Sequence, residues 1–142
     1  MAASDLAQVI EDSHQALDTF PKGDPKPLQR LFSQRDDVTL ANPFGPPARG
    51  WTAVAATMER AAANYRDGEA VGFERFAEYA TGDLAYIVEI ERFRAKVGGA
   101  QEIMPFALRV TTIFRREDGA WKIVHRHADP ITTPQSAESV VP

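Results

Sequence analysis

Residues suited to acid–base chemistry lie in two strand-like stretches of this chain. Glu89 and Glu91 lie in the first stretch, and His125 and His127 lie near the end of the second. An imidazole beside a carboxylate exchanges protons near neutral pH. In an extended strand, residues two apart point to the same face, so each pair would project from one side. If the protein is an enzyme, the pattern predicts metal-free proton transfer with His127 as acid or base, and with Glu89 or Glu91 as its partner or as the base proper.

The strands that would hold these residues are indicated by alternating apolar and polar side chains. Leu84–Val97 alternates clearly and predicts one strand. The run from Met104 to Asp129 predicts two more, joined at Asp118-Gly119, the dipeptide that two-residue hairpin turns favour. The sequence therefore predicts three consecutive antiparallel strands.

The hydrophobic pattern predicts the register, because a shift by one residue would move every apolar side chain to the wrong face. Across the last hairpin the predicted pairs are Phe114 with Ile123, Thr112 with His125, and Val110 with His127. Across the hairpin centred on Gly99-Ala100 they are Glu91 with Leu108, Glu89 with Val110, and Ile87 with Thr112. Two rows follow: Glu89, Val110, His127 and Glu91, Leu108, Asp129.

The predicted inner face therefore carries charged residues at one end of an apolar surface. Charges are rarely buried without partners, because desolvation is costly, so this clustering predicts the mouth of a cavity. The backbones of Glu89 and His127 would lie roughly 10 Å apart across one intervening strand, which leaves space for a ligand. The residues predicted to line this pocket are Tyr65, Ile87, Thr112, Phe114, Trp121, Ile123, His125 and Asp129.

The upstream part of the chain predicts three helices and two further strands. Apolar spacing and breaker residues predict helices over Asp5–Phe20, over a short segment after Asp24-Pro25, and over Thr52–Arg66, where Asp67-Gly68 stops the helix. Strands are predicted over Val38–Ala41 and Val71–Tyr79. His14 on the first helix is expected at its half-exposed boundary, although it could point into the space that the helix covers.

Length and composition restrict the function. Residues 1–130 are expected to form one domain, and residues 131–142 a loose tail. The chain has no cysteine, which excludes thiolate chemistry. Its net charge of -4 argues against a nucleic-acid partner. No signal-peptide pattern or membrane-length apolar run is found, so a soluble, cytoplasmic protein without a membrane partner is expected.

The run from Ala107 to Pro130 resembles the C-terminal hairpin of SnoaL-like proteins, members of the nuclear transport factor two-like superfamily that also contains ketosteroid isomerase. The turns at Gly82-Asp83 and Asp118-Gly119 are also similar to those of the family. The resemblance implies an α+β cone, in which a curved antiparallel sheet wraps three N-terminal helices and a pocket opens between them.

The resemblance also implies a homodimer formed through the outer face of the sheet. Outward apolar residues interleaved with arginines would suit such an interface: Tyr86, Val88, Ile90, Ile113 and Val124, with Arg92, Arg109 and Arg126.

Several functions are compatible with this family. The favoured hypothesis is a small-molecule-binding protein with an apolar pocket and no cofactor. The alternative is an isomerase, cyclase or dehydratase that acts on a small apolar substrate without a metal. A pairing of aspartate base and tyrosine donor like that of ketosteroid isomerase cannot be placed on matching positions. A metal site built from His125, His127 and a carboxylate, or a purely structural role, is a further alternative.

Overall fold

A curled, unclosed sheet wraps around the helices. The computed structural model describes residues 2–142, and the side chains from residue 5 onward. Within these residues the chain forms helices α1 (Ala2–Thr19), α2 (Lys26–Gln29) and α3 (Trp51–Ala62), and strands β1 (Thr39–Ala41), β2 (Ala48–Arg49), β3 (Tyr65–Ala80), β4 (Leu84–Val97), β5 (Met104–Glu117) and β6 (Ala120–Asp129). Short 3-10 turns occupy Phe20–Lys22 and Ala137–Val140. The predicted α+β cone is confirmed.

The sheet is mixed, whereas the sequence predicted an antiparallel one. Its strand order is β2-β1-β6-β5-β4-β3. All neighbours are antiparallel except β1 and β6, which run parallel. The parallel contact arises because β1 lies beside the last strand of the chain, after the α2 connection, and not within a hairpin.

The end of α3 differs from the prediction, because the helix stops at Ala62 and β3 begins at Tyr65. Gly68, which suggested a helix stop, is a strand residue in close contact with its neighbours. A Cβ at this position would lie 2.6 Å from the Cβ of Ala95 and 2.7 Å from that of Pro21. The glycine therefore permits β3 to pack closely against the turn after α1.

The two long hairpins follow the predicted register in part. Every predicted pair between β4 and β5 is confirmed, including Glu89 with Val110. The two-residue turn is also confirmed, since Asp118 and Gly119 both have positive φ angles (52° and 84°), as a type I′ turn requires. Phe114 pairs with Ile123 as predicted.

A β-bulge at Val124 changes the rest of β6. Phe114 pairs with Ile123 but Ile113 pairs with His125, so Val124 has no partner on β5. Beyond this point the facing of β6 is inverted relative to the prediction, because one extra residue reverses the alternation. The predicted pairs of Thr112 with His125 and of Val110 with His127 are therefore wrong: the partners are Arg126 and Ala128.

The core lies between the helices and the concave face of the sheet. Its largest fully buried side chains come from both layers and include Phe32, Met58, Val54, Val110, Phe114 and Ile123. Residues 131–142 are exposed, and their looseness stays a prediction. No helix among residues 2–142 is long and apolar enough to cross a membrane.

A candidate ligand cavity and its buried ion pairs

A cavity of about 50 Å³ lies between the helices and the sheet. Its wall is almost entirely apolar, with Tyr65, Asn42 and Arg126 as its polar members. The apolar residues are Leu17, Phe20, Pro21, Leu28, Leu40, Pro43, Phe44, Met58, Ala61, Phe93, Phe106, Leu108 and Ala128. Concave apolar sites with a few polar groups are typical of ligand-binding cavities.

Aromatic side chains form one side of the cavity. The rings of Tyr65 and Phe106 are stacked, with centroids 5.4 Å apart, and Phe93 stacks on Phe106 at 5.2 Å. Phe44 comes from the proline-rich loop after β1 and contacts Tyr65 with ring centroids 5.8 Å apart. Because Phe44 is 50% exposed, it marks the boundary between the cavity and solvent.

Tyr65, one of the residues predicted to line a pocket, lies on the wall of this cavity, and its role in ligand binding stays a prediction. Burial raises the pKa of its hydroxyl to about 12; nearby Arg126 acts to lower it, and Glu91 acts to raise it further. The hydroxyl therefore keeps its proton throughout the neutral range and can donate a hydrogen bond.

Arg126 and Glu91 form a buried ion pair beside Tyr65. Arg126 Nη2 donates to Glu91 Oε1 over 2.7 Å, and Nη1 donates to Oε2 over 2.8 Å. Burial alone would lower the pKa of Arg126, but the charge and hydrogen bonds of Glu91 outweigh it and raise that pKa. The Val124 bulge turns Arg126 inward, so the prediction that it faces outward is wrong.

Glu89, two residues before Glu91 on β4, has different partners. Its carboxylate accepts hydrogen bonds from His14 Nε2 at 2.9 Å and from Arg75 Nε at 2.7 Å. The His14 ring stacks on Phe73 with centroids 3.9 Å apart. Burial alone would raise the pKa of Glu89, but the hydrogen bonds from His14 and Arg75 outweigh it and lower that pKa.

Glu89 therefore pairs with a histidine, but with His14 and not with the predicted His127. His14 lies on α1, far from Glu89 in the sequence, and only 18% of its side chain is exposed. His14 points toward the sheet, the less favoured of the two orientations expected for it. Neither His14 nor Glu89 is part of the cavity wall.

His125 and His127 lie on the outer face of the sheet, so their predicted orientation toward the helices is wrong. His125 Nδ1 is hydrogen-bonded to Thr39 Oγ1 over 2.7 Å. Its pKa is lowered by burial and by the neighbouring His127. His127 Nε2 lies 3.0 Å from Asp129 Oδ2 and is half exposed. The roles in ligand binding and catalysis assigned to these histidines stay predictions.

Asp129 also faces outward, because the bulge reverses its side of β6. It accepts hydrogen bonds from Arg109 Nε and Nη2 at 3.0 and 2.8 Å. Burial acts to raise the pKa of Asp129, but the hydrogen bonds from Arg109 and His127 and from the backbone of Ile131 lower it. The described residues contain no group of three or more His, Asp or Glu side chains arranged as metal ligands.

The remaining predicted pocket residues face the helices but belong to the packed core. They are buried and absent from the cavity wall: Ile87, Thr112, Phe114, Trp121 and Ile123. Sequence reasoning missed the side chains that do line it from the sheet, above all Phe93, Phe106, Leu108 and Ala128. The alternation of β4 and β5 already placed Phe93, Phe106 and Leu108 on the inner face, so a signal for three of them was present.

The profile of the SnoaL-like domain matches residues 7–132. The chain belongs to the SnoaL-like family. Solved structures of the superfamily share its fold. A nuclear transport factor 2-like protein from Salmonella enterica gives a TM-score of 0.79 at 17% identity and covers 97% of this chain and 99% of its own. A ketosteroid isomerase-like protein from Erwinia carotovora gives 0.74 at 16% identity, with 92% and 96% covered.

A third structure, a nuclear transport factor 2-like protein of unknown function from Pseudomonas putida, gives a TM-score of 0.68 at 25% identity. It covers 96% of this SnoaL-like chain and 89% of its own. No curated protein matches the chain. The predicted membership of the superfamily is confirmed by these matches.

Proposed function

We propose that this SnoaL-like protein binds a small, largely apolar molecule in the cavity between the helices and the sheet. The observation that carries the proposal is the composition of the cavity wall. Aromatic and aliphatic side chains surround a space into which Tyr65 and Arg126 bring polar groups. A buried guanidinium is costly to desolvate even when it is paired, and here it brings N–H groups to an otherwise apolar wall.

The size of the cavity restricts the ligand. An apolar cavity of about 150 Å³ binds benzene. The 50 Å³ available here is about a third of that space. A ligand as large as a substituted benzene requires Phe44 to move outward. Phe44 lies in the loop between β1 and β2, next to Pro43, and has one side in solvent.

Filling the cavity with protein atoms tests the proposal. Ala128 lies on the cavity wall, whereas Ala120 is exposed on the same strand. We expect toluene and acetophenone to raise the Tm of the wild-type protein and of Ala120→Leu, but not of Ala128→Leu. An equal rise in Tm for both variants would place the binding elsewhere and contradict the proposal.

The second candidate is a metal-independent isomerase, cyclase or dehydratase. The hydrogen-bonded pair of His14 and Glu89 favours it. When the Glu89 carboxylate accepts a hydrogen bond from Nε2–H, the other ring nitrogen of His14, Nδ1, is available to accept a proton from a substrate. No described residue forms a hydrogen bond with Nδ1 of His14. A substrate would have to approach His14 on its partly exposed side, since the pair lies outside the cavity wall.

We also infer that two copies associate through the outer face of the sheet. Large apolar side chains on β3 and β4 are exposed there, including Tyr79, Leu84 and Tyr86. They border a shallow apolar groove that Val88 and Ile113 also line. A second copy would cover this apolar surface, which is larger than isolated exposed side chains would give.

A further inference from the structure

The charge of Arg126 is already balanced inside the protein. Both oxygens of Glu91 accept hydrogen bonds from its Nη1 and Nη2 atoms, and both residues are buried. A guanidinium carries further N–H groups beyond the two used here. No described residue accepts from the remaining N–H groups of Arg126, and the side chain lines the cavity. Arg126 thus brings hydrogen-bond donors to the cavity wall without an unbalanced positive charge.

The other polar groups on the wall are also able to donate. The Tyr65 hydroxyl has no hydrogen bond to any described residue, and it remains protonated at neutral pH. The side-chain oxygen of Asn42 accepts from the backbone N–H of Phe44 over 2.8 Å, which leaves its NH₂ group as a donor. The wall therefore offers donors from Arg126, Tyr65 and Asn42, and a ligand that satisfies them must contribute an acceptor.

We propose that the ligand is a neutral molecule with an apolar body and a hydrogen-bond acceptor, such as the carbonyl oxygen of a ketone, ester or amide. This inference rests on the proposed function and specifies its ligand class. An acceptor that enters the cavity would satisfy donors of Tyr65 and Arg126 that have no partner among the described residues.

An anionic ligand is disfavoured by the neighbouring charges. A carboxylate beside Arg126 would compete with Glu91 for the same guanidinium and would lie close to its negative charge. Glu89 also acts electrostatically on Arg126, so a second carboxylate is near. Like charges brought together in a desolvated site oppose binding.

Three probes with the same number of non-hydrogen atoms test the ligand class: acetophenone, benzoate and cumene. Their dissociation constants for the wild-type protein are measured by isothermal titration calorimetry at neutral pH. We expect acetophenone to bind about fivefold or more tightly than cumene, since one hydrogen bond is gained. We expect benzoate to bind about tenfold or more weakly than acetophenone, since its charge is opposed.

Glu91→Gln tests the cause of this preference, and exposed Glu59→Gln is the matched control. The neutral amide introduced by Glu91→Gln leaves the charge of Arg126 unbalanced, so we expect the variant to bind benzoate more tightly than acetophenone. Glu59→Gln is expected to keep the wild-type order. If Glu91→Gln does not fold, Tyr65→Phe replaces it, with exposed Tyr79→Phe as control. Tyr65→Phe should weaken acetophenone binding about fivefold and leave cumene binding unchanged.

The outcomes separate the two proposals. If none of the three probes binds, the proposed function fails. Suppose that all three probes bind the wild-type protein, but that benzoate binds most tightly or that cumene binds as tightly as acetophenone. The proposed ligand class is then wrong, while the binding function survives. An unchanged order of affinities in Glu91→Gln, or unchanged acetophenone binding in Tyr65→Phe, would also overturn the inference.

Discussion

Arg126 on β6 reaches across β5 to Glu91 on β4, and the two side chains are joined by two buried hydrogen bonds of 2.7 and 2.8 Å. This contact exists because the bulge at Val124 turns Arg126 toward the helices. It places a neutral ion pair at the wall of the cavity and leaves N–H groups of the guanidinium without an acceptor among the described residues.

Removing Arg126 is expected to be costly for stability. Arg126→Met leaves the buried carboxylate of Glu91 without its partner, and we expect a loss of about 3–5 kcal/mol in the free energy of unfolding. The double variant Glu91→Leu/Arg126→Met should be less destabilised than Arg126→Met, because no unpaired charge remains. Urea unfolding measures both. The exposed, bidentate pair of Arg109 and Asp129 gives the control, and Arg109→Met should cost at most about 1 kcal/mol.

Stability is expected to fall in acid, in part through Glu89. Its pKa is lower in the folded protein than the ordinary value of 4.5. A carboxyl of this kind stabilises the fold above its unfolded pKa, and this stabilisation is lost as the pH falls through the folded pKa. Unfolding free energies measured from pH 7 to below pH 4 should therefore decline less steeply in Glu89→Gln than in the wild type. A slope identical to that of the wild type would show that the pKa of Glu89 is the same in the folded and unfolded protein, which would contradict this account.

The sequence predicted the elements that depend on local signals. The dipeptide Asp118-Gly119 predicted the two-residue turn that it forms, and the apolar alternation of β4 and β5 predicted their register. The bulge at Val124 has no such signal, because Val-His-Arg-His alternates like a regular strand and contains no glycine or proline. Because Val124 is unpaired, Arg126 and Ala128 lie on the inner face in place of the predicted His125 and His127.

Contacts between segments that are far apart in the chain could not be predicted from the sequence either. His14 meets Glu89 only because α1 crosses the concave face of the sheet, and helix periodicity places His14 at a boundary without indicating a partner. Gly68 looked like a helix stop, although its lack of a side chain serves close packing against Pro21 and Ala95. Both outcomes depend on tertiary packing, which a one-dimensional pattern does not contain.

The proton-transfer candidate predicts a measurable exchange reaction. If His14 acts as a base, the protein should accelerate the exchange of the methyl protons of acetophenone with D₂O, followed by proton NMR. His14→Gln should lower the accelerated rate by about a hundredfold, the usual contribution of a general base. His127→Gln is the comparison. Loss of exchange in that variant alone would favour the original sequence prediction over His14, and no acceleration by the wild type would remove the enzymatic candidate.

The dimer proposal predicts that a charge on the outer face separates the copies. Tyr86 is 39% exposed and borders the outer apolar groove. Tyr86→Asp should convert a dimer into a monomer in analytical ultracentrifugation, because the carboxylate would be desolvated at the interface. Thr132→Asp, in the exposed C-terminal segment, should leave the mass unchanged. A wild-type protein that sediments as a monomer at high concentration would contradict the proposal.

The most direct test of ligand binding in the cavity is an NMR titration of the wild-type protein with acetophenone, followed through backbone amide shifts. Binding in the cavity predicts that saturable shift changes concentrate at its wall, at Tyr65, Phe106, Leu108 and Ala128, and that the amides of the outer-face residues Tyr79 and His127 stay unchanged. Saturable changes confined to the outer face, or no saturable change at any amide, would contradict a ligand-binding cavity between the helices and the sheet.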